Sequence, residues 1–193
     1  MGDTETNEPR IPPGQTVTKG WPVLHAGWVP TIDLHSWRFH IDGLVEKPQT
    51  FHWEAFLRLG YLQVTADMHC VTGWSRLDNR WEGVPFQAVY AAAAPLPQAQ
   101  YVLVRAAHGW TCNVPLRDLL QDDVLFAYRH DGQPLSAEHG GPLRLVVPHL
   151  YGWKSAKWVE GLTFLEKDVP GYWEQAGYHM HGDPWKEERF APM

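Results

Sequence analysis

Alternation of hydrophobic and polar residues is the clearest pattern in the chain. Residues 37–42 place Trp37, Phe39 and Ile41 on one face of an extended segment, which predicts a half-buried strand that ends at Gly43. Further strands are predicted for five β-branched or aromatic runs, at residues 61–68, 101–105, 124–128, 143–147 and 159–165.

Helical spacing is confined to shorter segments. Residues 50–59 place hydrophobic side chains at helical intervals before Gly60, and a proline near the first turn opens a second predicted helix at residues 85–94. Residues 114–120 predict a helical turn. Because strands outnumber helices and do not alternate regularly with them, the pattern favours a β-rich α+β fold with mixed sheets over a doubly wound α/β sheet.

The domain organisation follows from composition. Residues 1–16 are polar and contain prolines, which predicts a mobile N-terminal arm. Residues 17–193 show no repeat, low-complexity tract or linker, so we expect a single domain there. A chain of 193 residues is long enough to bury a substantial core.

Charge and cysteine content narrow the function classes. A net charge of −6 argues against a nucleic-acid-binding protein, which would present a basic face. No apolar run approaches the ~18 residues of a membrane span, and the N-terminus lacks the apolar core of a secretory leader. Two cysteines cannot build a disulfide framework, so we expect a soluble protein of the reducing cytoplasm.

Two segments carry the candidate chemistry. MHCVTGWSR at residues 68–76 holds Cys70 just before a glycine-containing turn, and a single thiolate suits one bond to a soft metal. GGPLRLVVPHLYGWKSAKW at residues 140–158 leads from a strand into a loop with Lys154, Ser155 and Lys157. Ammonium and hydroxyl donors in such a loop suit an anionic group such as phosphate.

Together these segments resemble the molybdenum-cofactor domain of the sulfite oxidase superfamily. That family includes sulfite oxidases, plant-type nitrate reductases and the catalytic subunit of periplasmic protein-methionine-sulfoxide reductases, and the chain is most similar to its small stand-alone bacterial members. The resemblance covers nearly the whole chain. It implies the sulfite oxidase catalytic-domain fold, a molybdenum–molybdopterin cofactor and a molybdopterin-dependent oxidoreductase.

The resemblance also implies roles for individual residues. Cys70 matches the protein thiolate that bonds molybdenum, and RWEGVPF at residues 80–86 matches a turn packed behind the metal. Three residues are expected on the catalytic side of the pocket: Trp74, His108 and Trp110. The cofactor-binding set that the resemblance implies is His25, His139, Arg144, Lys154, Ser155, Ala156 and Lys157. Cys112 matches no family role, and we interpret it as structural.

The substrate and the electron partner are implied more coarsely. In the sulfite oxidase form an arginine follows shortly after the cysteine, whereas CVTGWS is closer to the methionine-sulfoxide-reductase form and Arg76 lies further along. We therefore expect two-electron oxygen-atom transfer or reduction on a small polar substrate, which could be sulfite-like, a sulfoxide or an N-oxide. The chain shows neither the haem domain nor the dimerisation domain of larger sulfite oxidases, so we expect a separate electron donor or acceptor protein.

Two alternatives belong to other classes. A non-catalytic carrier of the molybdenum cofactor would need the same cradle, and turnover of substrate would distinguish it from an enzyme. A zinc hydrolase could use some of the eleven histidines, for example His179 and His181. The chain has no H-E-x-x-H motif and no paired C-x-x-C, so the zinc hypothesis lacks ligands at the usual spacing.

Overall fold

The computed structural model describes residues 10–192, which form two β-sheets with short helices at their ends. The strands are β1 Thr16–Val17, β2 Arg38–Gly43, β3 Gln49–His52, β4 Leu62–His69, β5 Trp74–Pro85, β6 Tyr101–Ala106, β7 Thr111–Pro115, β8 Leu125–His130, β9 Gln133–Pro134, β10 Arg144–Val146 and β11 Val159–Leu165. The helices are α1 Trp53–Leu57, α2 Phe86–Ala93, α3 Leu116–Leu119 and α4 Tyr172–Gln175. None of the helices within residues 10–192 has the length and hydrophobicity needed to cross a membrane.

Both sheets are mixed. The first has six strands and runs β1-β5-β8-β10, with β4 and β9 pairing β5 and β8 respectively; only the short β1 is parallel to its neighbour. The second has five strands in the order β3-β2-β11-β6-β7, where β2 and β11 are parallel and the other pairs antiparallel. The prediction of an α+β fold with β-rich mixed sheets is confirmed.

The larger of two hydrophobic clusters found within residues 10–192 joins the two sheets. Phe39 on β2 packs against Phe126 on β8 with ring centroids 5.3 Å apart, and both side chains are fully buried. Phe86 on α2 and Phe164 on β11 belong to the same buried cluster. Because each buried aromatic ring removes a large apolar area from water, this cluster stabilises the contact between the sheets.

The strand predictions agree well with the structure, and the helix predictions agree less well. The pattern at residues 37–42 corresponds to β2, and the segment before Cys70 corresponds to β4. The helix predicted at residues 50–59 is wrong in its first part, because residues 49–52 pair with β2 before the short α1 begins. The turn expected around residues 81–85 is also wrong, since these residues are extended in β5 and pair with β8.

The segment at residues 10–17 lies against the first sheet. Of the arm predicted at residues 1–16, residues 1–9 lie outside the described residues. Arg10 forms ion pairs of 2.7 Å with both Asp67 and Asp78, and the backbone N–H of Thr16 donates to the carbonyl of Gly73 at 2.8 Å. Residues 10–17 are therefore in contact with the sheet beside the Cys70 turn.

Candidate active site

A cavity of about 310 Å³ lies where β4, β7 and β10 meet the loop at residues 152–158. Eight of the eleven residues predicted for the site line it. On the cysteine side these are Cys70, Trp74 and Trp110. Around the rest of the wall they are His25, Arg144, Ser155, Ala156 and Lys157. The two motifs, which are far apart in the sequence, therefore face one cavity.

Cys70 sits in a tight turn between β4 and β5. The backbone N–H of Gly73 donates to the carbonyl of Cys70 at 3.0 Å, and the N–H of Cys70 donates to the carbonyl of Trp74 at 2.8 Å. Gly73 has a φ of +97°, a conformation that a residue with a Cβ rarely adopts. The turn presents the Cys70 thiol to the cavity, where Sγ lies 3.1 Å from the hydroxyl of Thr72.

The loop after β10 folds back along that strand. The N–H of Leu145 donates to the carbonyl of Ala156 at 2.8 Å, and the N–H of Val147 donates to the hydroxyl oxygen of Ser155 at 3.0 Å. These bonds place residues 155–157 beside Arg144. Two parts of the motif that are separated in the sequence thus lie side by side, and the backbone carbonyl of Ala156 helps to hold the loop in place.

Arg144 is a buried cation on the cavity wall. Its guanidinium donates to the carbonyls of His139 at 2.8 Å and of Ser155 at 3.0 Å, and it lies 5.5 Å from the ring centroids of both Trp21 and Trp81. Burial lowers the pKa of Arg144 to about 10. The side chain is therefore oriented by neutral groups, and its charge is available to a ligand.

Lys157 is the second cation on this wall. Its ammonium donates to the carbonyls of Leu24 at 2.9 Å and Glu138 at 2.6 Å. Burial, followed by the charge of Arg144, lowers the pKa of Lys157 to about 7. The Lys157 side chain can pack against the backbone of residue 140 because that residue is glycine: a Cβ at Gly140 would lie 2.9 Å from the Lys157 side chain.

Lys154 does not belong to this cationic wall. The three-residue 3-10 turn Gly152–Lys154 directs its side chain into the core, where the ammonium lies 2.7 Å from the Glu174 carboxylate. It also donates to the backbone and side-chain oxygens of Asn113, both at 2.9 Å. The electrostatic role expected for Lys154 beside the phosphate is thus replaced by a buried ion pair, since its donors are already satisfied.

Two histidines also lie off the cavity wall. His139 stacks on Trp21 with ring centroids 3.9 Å apart, and its Nε2 faces the Trp21 carbonyl at 3.2 Å. His139 therefore supports a wall residue from behind. His108 is exposed, has a φ of +61° and contacts Trp28 with centroids 4.9 Å apart, so the structure does not place it beside Cys70.

Cys112 lines the cavity as a neutral thiol. It is nearly fully buried, its Sγ lies 3.5 Å from the Trp153 carbonyl, and burial raises its pKa to about 12. Because the thiolate is the form that bonds metals, Cys112 is a poor ligand. Cys112 is buried on β7, as expected for a structural residue, and it also forms part of the cavity wall.

Trp173 and Tyr178 are wall residues that lie outside both motifs. They line the cavity together with Trp153 of the second motif, and Tyr178 lies 5.2 Å from Trp153 between ring centroids. Both come from the tail, where the sequence has no clear period. Their aromatic character was the one available indication, because aromatic rings combine large apolar area with polar edges.

No zinc-type cluster exists among residues 10–192, because no three His, Cys, Asp or Glu side chains are arranged to hold a metal ion. His179 and His181 are instead engaged with the tail. Nδ1 of His181 lies 2.9 Å from the Glu188 carboxylate, and Nε2 lies 3.3 Å from Asp118. The zinc hydrolase alternative therefore finds no support in the geometry.

The cavity fits a cofactor with a soft metal and a phosphate. It offers a thiol at Cys70 for the metal, a buried cation at Arg144 and a partly buried cation at Lys157, and neither cation forms an ion pair within residues 10–192. A bound anion would favour the charged form of each cation, opposing the effect of burial. The donor set thus agrees with a thiolate-ligated metal and a phosphorylated organic group.

Comparisons with known proteins identify the family. The oxidoreductase molybdopterin binding domain matches residues 26–173. An uncharacterized oxidoreductase, YuiH of Bacillus subtilis, is 48% identical over 183 residues, which cover 94% of this chain and 92% of that protein. The match therefore extends over nearly the full length of both chains.

More distant relatives are larger proteins. The protein-methionine-sulfoxide reductase catalytic subunit MsrP of Ralstonia nicotianae is 28% identical over 85% of this chain, which spans only 53% of that subunit. The crystal structure of the sulfane dehydrogenase SoxCD from Paracoccus pantotrophus superposes with a TM-score of 0.66 and 28% identity, covering 72% of this chain and 40% of that one. The chain therefore belongs to the molybdopterin-binding oxidoreductases: it is an enzyme with the sulfite oxidase catalytic-domain fold and a molybdenum cofactor.

Proposed function

We propose that this enzyme catalyses two-electron oxygen-atom transfer between a small polar substrate and its cofactor, with electrons exchanged with a separate protein. One observation carries the proposal: the Cys70 thiol and the Lys157 ammonium line the same cavity. When bound, the molybdenum cofactor supplies the oxygen-atom transfer and the two-electron change. The chain supplies a thiolate ligand, a cradle for the phosphate and a shaped wall.

The residues divide by the group they would hold. Cys70 would ligate the metal, and its turn fixes where the thiolate stands. Arg144 and Lys157 would pair with the phosphate and the pterin oxygens, because charge-assisted hydrogen bonds to such oxygens are the strong ones. Ser155 and Ala156 hold the loop that carries Lys157, and His25 lies at the exposed end of the same wall.

Arg76 bears on the choice of substrate. Its guanidinium donates to Asn79, to Nε2 of His130 at 2.9 Å and to Asp131 at 2.7 Å. This arginine is therefore occupied away from the cavity. Since a doubly charged anion such as sulfite requires a cationic site, we propose that neutral sulfoxides or N-oxides are the better substrates.

The cavity that contains Cys70 also has an apolar part of its wall, formed by Trp74, Trp110 and Trp173. Reduction of a sulfoxide there would consume two electrons and two protons and release a thioether and water. The electrons would come from a separate donor protein. The name of the Ralstonia relative, a catalytic subunit, agrees with such an arrangement.

Turnover assays test this function directly. Protein from a host that makes the cofactor is mixed with reduced viologen and with dimethyl sulfoxide, methionine sulfoxide or trimethylamine N-oxide; sulfite with ferricyanide serves as the comparison. We expect viologen oxidation with at least one neutral oxide and little ferricyanide reduction by sulfite. Fully loaded protein that turns over neither class would instead favour the carrier alternative.

A further inference from the structure

The turn that presents Cys70 is held from outside by both ends of the chain. Nε2 of Gln15 donates to the carbonyl of Cys70 at 3.1 Å, and the guanidinium of Arg189 donates to the carbonyl of Val71. The N–H of Thr16 donates to the carbonyl of Gly73. Three carbonyls within four residues of the turn therefore accept bonds from residues 15, 16 and 189.

Arg189 is fixed by more than this one bond. Its guanidinium lies over the ring of Tyr151, 5.2 Å from the centroid, and reaches the carbonyls of Pro13 at 3.4 Å and Gly14 at 3.5 Å. This cation of the tail thus contacts Tyr151, the N-terminal segment and the turn. A surface arginine that formed only a salt bridge would leave the turn unaffected.

Gln15 links the turn to a buried polar chain. Oε1 of Gln15 accepts from the hydroxyl of Ser75 at 3.3 Å. The hydroxyl oxygen of Ser75 in turn lies 2.8 Å from Nδ1 of His69. Ser75 and His69 are both buried. Buried polar groups that are fully hydrogen-bonded restrict the motion of their neighbours. The series of contacts from Gln15 through Ser75 to His69 therefore restricts the position of the turn relative to β4 and β5.

We propose that Gln15 and Arg189 are positioning residues for the metal-ligating Cys70. By holding the consecutive carbonyls of Cys70 and Val71, they fix the direction of the thiolate and hence its bond to the metal. The proposal rests on the proposed role of Cys70 as ligand. Groups beyond the ligands commonly affect a metal site in this way, since they orient the ligands themselves.

Size-matched variants separate this role from general stability. Gln15→Leu and Arg189→Met remove the donors, Arg189→Lys retains a cationic donor, and Gln175→Leu alters an exposed glutamine of the tail that bonds only the carbonyl of Pro170. Hydrogen exchange of the peptide at residues 68–76 is measured on cofactor-free protein. The thiolate-to-metal absorption band and the molybdenum content are measured on loaded protein.

We expect exchange of this peptide to accelerate roughly fivefold in each of the two variants, the loss of about one hydrogen bond. The absorption band should shift while molybdenum content stays unchanged; Arg189→Lys should recover part of both effects, and Gln175→Leu should show neither. Unchanged exchange and absorption in Gln15→Leu and Arg189→Met would overturn the proposal. If Arg189→Met does not fold, Gln15→Leu decides alone.

The test also distinguishes the two proposals. If the wild-type protein holds molybdenum but has no thiolate-to-metal band, the ligand role of Cys70 fails and the positioning role fails with it. If the band is present and does not respond to either variant, the proposed function stands and only the positioning role is lost.

Discussion

Lys154 and Glu174 form an ion pair of 2.7 Å in the core, and both side chains are almost completely buried. Lys157, three residues later, lines the cavity instead. The 3-10 turn Gly152–Lys154 directs the first lysine into the core, whereas the second follows the turn and faces the cavity, so two lysines of one motif become a structural residue and a candidate ligand-binding residue. Substitution of Lys154 should therefore affect the stability of the fold, and substitution of Lys157 should affect cofactor binding.

Lys154→Met should destabilise the fold without altering the phosphate site. Removing one partner of a buried pair leaves the other charge unpaired, which costs about 3–5 kcal/mol. For a domain of this size the melting temperature should fall by on the order of 10 °C. Calorimetry of the cofactor-free protein measures this loss; a melting temperature equal to wild type would contradict the buried pair.

Lys157→Ala should lower cofactor occupancy while the fold is retained. A hydrogen bond to a charged group contributes about 1.5–3 kcal/mol, so the cofactor should bind roughly 10–100-fold more weakly. The measurement is molybdenum and phosphorus per chain after gel filtration. Full occupancy, together with an unchanged melting temperature, would mean that the phosphate is held elsewhere.

The strands were predictable because their alternation is local. Trp37, Phe39 and Ile41 lie on one face of β2 and are buried as expected. Residues 50–52 form a strand, although the hydrophobic spacing over residues 50–59 fits a helix. They are extended because they pair with β2, and the spacing of hydrophobic residues does not reveal that pairing. Tertiary contacts override local preference here.

The sequence predicts which loop forms the candidate site, but not which of its side chains face the cavity. Ser155 and Lys157 line the cavity, whereas Lys154 and His108 do not. The direction of a side chain within a turn depends on backbone angles that residue type does not fix. The contacts of Gln15 and Arg189 with the Cys70 turn join segments more than fifty residues apart. No local pattern could have indicated them.

Cys70→Ser should abolish the thiolate-to-metal absorption and lower activity by more than roughly 100-fold, since changes to groups beyond the ligands alone commonly cost 10–100-fold. The pterin should still bind through Arg144 and Lys157. Cys112→Ser is the matched control, because it alters the other cavity thiol. Absorption spectra and turnover of both variants make the comparison, and a Cys70→Ser protein with unchanged spectrum and rate would refute the ligand role.

The attachment of the tail should depend on pH. The nearby carboxylate of Asp118, followed by that of Glu188, raises the pKa of His181 despite burial. Burial opposes ionisation of Asp118, yet the neighbouring His149 and His181 hold its pKa well below its usual range. His179 faces the same Glu188 carboxylate at 3.4 Å. A raised histidine pKa stabilises the fold fully below the unfolded value of about 6.5 and loses this effect as pH rises through the folded value.

Asp118 contributes in the opposite direction: its stabilisation is present above its unfolded pKa of about 3.9 and is lost as pH falls through the lower folded value. The tail contact is therefore strongest in mildly acidic solution. His181→Gln should lower the melting temperature by about 2–4 °C near pH 5.5, the effect of about 1 kcal/mol, and by much less near pH 8.5. The exposed His35→Gln is the control. An equal loss at both pH values would contradict the ion pair.

The most direct test of the account is the molybdenum content of the purified protein, measured by elemental mass spectrometry on material from a host that makes the cofactor. The cavity with Cys70, Arg144 and Lys157 predicts about one molybdenum atom per chain, because it offers one thiolate and one cationic cradle. Protein that contains no molybdenum, and in particular protein that contains zinc in its place, would contradict the account.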